Sequence, residues 1–284
     1  MRTRQPLPER HNAMKRRTWM WFAAPAATLF LAFWLLPMAG LALEGAATRD
    51  GQSAYWTVLT GAQYWTSLFN TVALSLVATL VTLIIALPVG RFLARHRHFT
   101  GRRTLMAMLM FPLAFPGVVV GFLIILLAGR QGIISALTKW LTGSTMVFAY
   151  GMAGLFLGYL YFSLPRCIGV LTAAAEQIDR SLLEAACTLG ASPWRRFMDI
   201  ELPALVPAMV GAGAMSFATS MGAFGTAFTL ATQIDVLPIT IYNEFTNYAN
   251  IPVAAALSIV LGLATWAVLY VAHSLAGTRA SAGA

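Results

Sequence analysis

The residues of this chain that could carry chemistry are few, and the usual catalytic combinations are missing. His11, His96, His98 and His273 are scattered or flank apolar runs, and none is spaced with a cysteine or an acid as a metal site or a nucleophile–base pair requires. Cys167 and Cys187 are isolated and make no metal site. Lys15 and Lys139 are followed by Arg16 and Trp140, and neither follows a glycine, so there is no phosphate-binding loop. The sequence names no catalytic residue, no metal ligand and no cofactor of its own. The long apolar runs, as read from the sequence, hold no Asp, Glu, Lys or Arg, and so offer none of the proton relays of ion-coupled carriers.

What remains is one long polar interruption, Ser181 to Pro203, reading S-L-L-E-A-A-C-T-L-G-A-S-P-W-R-R-F-M-D-I-E-L-P. Ser181 followed three residues later by Glu184 predicts a capping box and a helix start at Ser181. Gly190 falls where a left-handed C-terminal residue is wanted, and Ser192 with Pro193 predict a new N-cap and first helical position. The stretch therefore reads as two short helices meeting at a glycine. Leu182, Leu183, Ala186 and Leu189 place an apolar stripe on the first, able to rest on a partner or on a bundle. A helix this short needs such support to be stable.

The pattern E-A-A-x3-G-x9-I-x-L-P, present as Glu184, Ala185, Ala186, Gly190, Ile200, Leu202 and Pro203, resembles the EAA loop of inner-membrane permease subunits of binding-protein-dependent ABC importers, the MetI-like group. In that family the loop forms a coupling helix seated in a groove of a cytoplasmic ATPase. The resemblance implies ATPase-coupling roles for Glu184, Ala185, Ala186, Gly190, Ala191, Arg195, Leu202 and Pro203, with Arg196 beside them. It also implies partners: an ABC ATPase dimer that binds ATP and Mg2+, an extracytoplasmic substrate-binding protein, and a second permease subunit, identical or homologous, to complete the pathway. The plainer reading is that Glu184 only caps a helix and Gly190 only ends one; the two readings are compatible.

The elements that must carry this loop follow from composition. Of 284 residues 58% are hydrophobic and only 10% charged, far from an average soluble domain. The expected fold is all-α and polytopic, with six transmembrane helices at about 19–43, 67–90, 104–129, 146–165, 204–228 and 251–274, a coupling loop at 166–203, and tails at 1–18 and 276–284. The first run is too long for the apolar region of a cleaved signal peptide. The third carries Phe111, Pro112, Phe115, Pro116 and Gly117, which should bend or unwind it. Arg130–Thr145 has room for a small helix around Ile133–Trp140. The uncharged run Leu202–Ile234 exceeds one span, and Gly222 and Gly225 predict a broken or re-entrant piece after the fifth.

Of the 19 Lys and Arg residues all but Arg49, Arg130 and Lys139 fall on one side of this arrangement, which places both termini and the 166–203 loop in the cytoplasm. The asymmetry accounts for the formal charge of +9 without a nucleic-acid partner. Both cysteines then face a reducing compartment. Tyr55, Trp56, Tyr64 and Trp65 suit the opposite membrane interface.

Kinked membrane helices expose backbone to substrate. The candidates for a pathway are therefore Phe111, Pro112 and Phe115 in the third span and Met215, Ser216, Met221, Phe224 and Thr226 around the glycines of the fifth, though bundle packing explains each of them alone. The 222–248 region, with F-G-T at Phe224–Thr226 and L-P-I-T-I-Y at Leu237–Tyr242, is similar to permeases for mineral and organic ions, from polyamines and phosphonates to sulfate and molybdate. A lining without charge would leave selectivity to the binding protein. Asp235 and Glu244 read as solvated loop charges or as contacts for a cationic substrate or the binding protein. A stand-alone carrier or channel, or a non-transport membrane scaffold, are the alternatives.

Overall fold

The computed structural model describes residues 24–49, 52–230 and 234–281; the expected basic tail 1–18 and the start of the first expected span lie outside the described residues. Among them six segments are long and apolar enough to cross a membrane. Apart from a hairpin of β1 (Thr48–Arg49) and β2 (Gln52–Ser53), the regular structure is helical. The helices are α1 (Ala24–Gly45), α2 (Ala54–Thr60), α3 (Ala62–Arg95), α4 (Arg102–Met110), α5 (Gly117–Ala128), α6 (Ile133–Thr142), α7 (Met152–Glu176), α8 (Arg180–Thr188), α9 (Pro193–Met221), α10 (Phe224–Leu230), α11 (Leu237–Tyr242) and α12 (Ile251–Ser281).

Three of these make the frame. Leu74 and Ala78 of α3 share a core cluster with Leu155 and Tyr159 of α7, and Gly90 lies against Leu171, so α3 and α7 run parallel. Helix α9 runs antiparallel to both: Glu201 pairs with Arg91 and Arg95, while Gly213 lies against Thr79 and Leu83. In lipid there is no hydrophobic drive between helices, so close approach of small residues supplies the packing. A Cβ on Gly90 would stand 3.0 Å from Leu171 Cβ, and one on Gly213 would stand 3.0 Å from Leu83 Cδ1.

Several boundaries differ from the sequence reading. Helix α7 does not end near Pro165 but continues to Glu176, because a proline needs only one missing backbone bond and neighbouring helices support the rest. The second helix of the polar stretch is not short. It starts at Pro193 and continues through one wide turn at Phe197–Glu201 into the fifth span without a break. That span stops at Met221, not 228; after Gly222 the separate helix α10 forms, as the glycines predicted. The 235–250 segment is not a plain loop, since it contains α11, whose first N–H, Leu237 N, donates to Thr71 Oγ1 at 2.7 Å. The expected tail from residue 276 is helical to Ser281.

The third crossing is broken where its prolines predicted. Helix α4 ends at Met110, a tight turn covers Phe111–Ala114, and α5 begins at Gly117. Arg102 pairs with Glu176 at the end of α7, and Phe148 and Ala149 just before α7 donate to Ala128 O, so residues 102–128 traverse the length of α7. The apolar run continues to Thr142, yet α6 is set off by the turns at Gly129 and Gly132, and Ser135 Oγ shares its one proton between Gly129 O and Met146 O. Ile133, Leu137, Trp140 and Leu141 leave α6 with an exposed apolar face.

Helix α10 lies against α5 at van der Waals closeness. A Cβ on Gly121 would stand 2.7 Å from Thr229 Cβ, and Thr226 Oγ1 donates to Gly117 O at 3.2 Å. Gly121→Val should therefore cost about 1–3 kcal/mol through overpacking, read as a lower unfolding midpoint in detergent. Gly262→Val, where a Cβ meets nothing within 4 Å, should leave the midpoint unchanged.

Candidate coupling segment and translocation cavity

Helix α8 is capped by a residue that the sequence reading passed over. Asp179, not Ser181, is the N-cap: its carboxylate accepts from Ser181 N at 2.9 Å, and the helix starts at Arg180. That backbone donor holds the Asp179 carboxyl below its ordinary pKa. The Ser181–Glu184 capping box is not formed, because with Asp179 outside the helix Ser181 is already its second residue. Glu184 and Ala185 instead stand exposed.

The turn after α8 is the one the glycine predicted. Gly190 has φ of +78°, Ala191 N donates to Ala186 O and Gly190 N to Cys187 O, both at 2.9 Å, which is a Schellman closure. Ser192 Oγ then accepts from Arg195 N at 3.3 Å and Pro193 opens α9. The expected apolar stripe splits. Leu183 and Ala186 are half-buried, whereas Leu182 is 55% and Leu189 87% exposed. With Trp194, 66% exposed, they form a bare apolar knob at this end of the molecule.

The knob is fastened to the frame by arginines. Arg91 Nε and Arg95 Nη2 donate to the two oxygens of Glu201 at 2.6 and 2.5 Å, and the Arg91 guanidinium lies 4.0 Å from the Phe197 ring centre. Arg97 donates to Glu176 O and Arg102 to Glu176 Oε1, each at 2.6 Å. Arg196 Nη1 donates to Cys187 Sγ at 2.7 Å, joining α9 to α8. Of the motif residues, Glu184, Ala185, Gly190 and Arg195 are exposed and Ala191 is half-buried. Leu202 and Pro203 lie further along α9, where Leu202 is half-buried and Pro203 exposed. Glu201, 5% exposed at its side chain, is the residue that sequence reasoning missed. Its signal was an acid facing two arginines one turn apart, which only the antiparallel pairing of α3 and α9 brings together.

A second region lies deeper. A cavity of about 340 Å3 at the break after α9 is lined by Phe115, Phe162, Arg166, Thr219, Phe224 and Thr226, with Leu113 and the 222–225 backbone. Phe115, Phe224 and Thr226 were pathway candidates from sequence. Phe111 and Met215 are exposed and Pro112 half-buried, all three outside this lining, whereas Ser216 and Met221 are buried within the bundle. The lining is not free of charge as expected: with α7 extending to Glu176, Arg166 falls inside a membrane helix rather than in a loop. Glu244 is no solvated loop charge either. It is 6% exposed and accepts from Tyr64 Oη at 2.9 Å and Asn250 Nδ2 at 3.1 Å.

Arg91→Met leaves the buried Glu201 carboxylate with one partner and should cost about 1–3 kcal/mol. In Arg91→Met/Glu201→Gln the loss should fall short of the sum of the two single losses, since the two share one interaction. Thermal unfolding of the purified chain measures both.

Relatives place the chain. A family model described as "Binding-protein-dependent transport system inner membrane component" matches residues 86–278. The chain is 28% identical over 249 residues to the molybdenum transport system permease protein ModB of Mycobacterium bovis, covering 86% of this chain and 89% of that protein. It is 29% identical over 245 residues to the sulfate transport system permease protein CysT of Escherichia coli, covering 85% and 86%. In fold it is similar to a chain of a bacterial ABC transporter that imports alginate, with a TM-score of 0.76, 20% identity and coverage of 95% and 99%. A chain of the MetNI methionine ABC transporter gives a TM-score of 0.60 at 18% identity, covering 78% and 98%. A six-span helical bundle, an exposed knob between its fourth and fifth spans and this match over most of the chain together show that the protein belongs to the inner-membrane permease components of binding-protein-dependent ABC importers.

Proposed function

We propose that the chain forms half of the translocation pathway of an importer for a small oxyanion and is driven through the segment Arg180–Pro203 by a separate cytoplasmic ABC ATPase dimer. The observation that carries this reading is the continuity of α9. One uninterrupted helix, Pro193–Met221, joins the bare knob to the break at Gly222 beside the cavity. Its length of about 44 Å exceeds the hydrocarbon thickness of about 30 Å, so its first turns project beyond the membrane. A push on Leu189 and Trp194 thus moves the cavity end of the same rod.

The remaining parts follow from that assignment. The arginine-rich end carries the knob and faces the cytoplasm by the positive-inside rule, with both termini on that side. A second permease subunit, a copy or a homologue, completes the pathway, and a substrate-binding protein delivers the ligand at the opposite face. ATP and Mg2+ belong to the ATPase. Within the group of mineral and organic ions, which runs from polyamines and phosphonates to sulfate and molybdate, an oxyanion is favoured over a polyamine cation because the named relatives are permeases for molybdenum and sulfate.

Gly190→Asp tests the coupling role. Gly190 has open space around its Cβ position, but its φ of +78° strains any side chain. The variant should insert and lose no more than about 1–2 kcal/mol of stability, yet ATP-driven uptake should fall to background in membrane vesicles. Uptake at the wild-type rate would contradict the assignment.

A further inference from the structure

Arg166 is an arginine in the wrong place for a structural residue. It stands ten positions before Glu176, about 15 Å along α7 from the arginine-rich end, and a cation at such depth is costly unless it is used. Long basic side chains near a membrane surface usually reach back toward the headgroups. This one does the opposite. Cys167 Sγ lies against Ala212 O of the antiparallel helix α9, whereas Arg166 Nη1 donates to Thr219 Oγ1 at 2.8 Å, seven residues and about 10 Å further from the basic end. The Thr219 hydroxyl spends its own proton on Met215 O at 2.7 Å, so it is fixed as an acceptor for the guanidinium.

No carboxylate neutralises this group: among the described residues the ion pairs are those of Glu201 and Glu176, and Arg166 belongs to neither. Thr219 takes one of the five N–H donors of a guanidinium, and the group lines a cavity walled by Phe115, Phe162 and Phe224. Beside apolar walls the local dielectric is lower than in water, so the Arg166 guanidinium attracts an anion and repels a cation more strongly there. The planar fork matches two oxygens of a tetrahedral oxyanion at once, which a lysine does not.

We infer that Arg166 is the residue with which this subunit holds a tetrahedral oxyanion in transit through the cavity at the Gly222 break. The inference rests on the oxyanion reading above and adds a site to it: the membrane subunit itself discriminates by charge, in addition to whatever its binding protein selects.

The test uses the assembled importer, with ATPase, second permease and binding protein, in proteoliposomes supplied with ATP. The probes are radiolabelled molybdate and sulfate, with uptake normalised to assembled complex. Arg166→Gln keeps a polar side chain with N–H donors but removes the charge, and should lower uptake of the transported anion at least about tenfold. Arg166→Lys keeps the charge without the fork and should fall between the two. If the wild type imports one of the anions and Arg166→Gln imports it equally fast, the role of Arg166 is overturned while the oxyanion reading stands. If the wild type imports neither anion, the oxyanion reading falls and the inference falls with it. Failure of Arg166→Gln to retain the second permease subunit would make Arg166 an assembly contact and also overturn the inference.

Discussion

At the point where the exposed knob becomes a membrane helix, one nearly buried carboxylate, Glu201, holds two guanidiniums from α3. Exposed ion pairs contribute little, and buried ones are costly when incomplete. Here both carboxylate oxygens are engaged by separate arginines and one guanidinium also covers the Phe197 ring, so the pair fixes geometry more than it adds net stability. At the end of α7, Arg102 pairs with the Glu176 carboxylate and Arg97 donates to the Glu176 backbone carbonyl. These contacts tie the three frame helices together at one end, and Arg196 joins the knob to α9.

Away from that end the packing is of another kind. Gly213, Gly121 and Gly225 let neighbouring helices approach closely, and buried threonines such as Thr71 and Thr79 turn their hydroxyls to nearby backbone groups. The helices at the cavity are short and interrupted: α5 starts after a proline turn, and α10 has seven residues after a break at Gly222. Long continuous helices meet the arginine-rich end and short interrupted ones surround the cavity. In the proposed importer the ATPase acts on the former and the substrate meets the latter.

Local chemistry was legible in the sequence wherever a single residue type decides the backbone. Gly190 is left-handed, Ser192 and Pro193 open a helix, and the Phe111–Gly117 cluster unwinds the third crossing. What was not legible depends on which residues meet across the bundle. Glu201 looked like any acid until α9 was laid against Arg91 and Arg95. Glu244 looked like a loop charge until Tyr64 and Asn250 closed over it. A fourth span bounded at 165 leaves Arg166 in the following loop; in the bundle, neighbours compensate for Pro165, α7 runs on to Glu176, and the charge lies within the membrane helix. The Ser181–Glu184 capping box failed for a smaller reason, the presence of a better cap two residues earlier at Asp179.

The central claim is that the knob at Leu189 and Trp194 is gripped by an ATPase and transmits its movement along α9. A photo-crosslinking amino acid at position 189, whose native leucine is 87% exposed, tests this most directly in the assembled importer. The account predicts a covalent adduct with the ATPase subunit whose yield changes between nucleotide-free and ATP-bound states. An ATPase that co-purifies yet never crosslinks from this position, in either state, would contradict it.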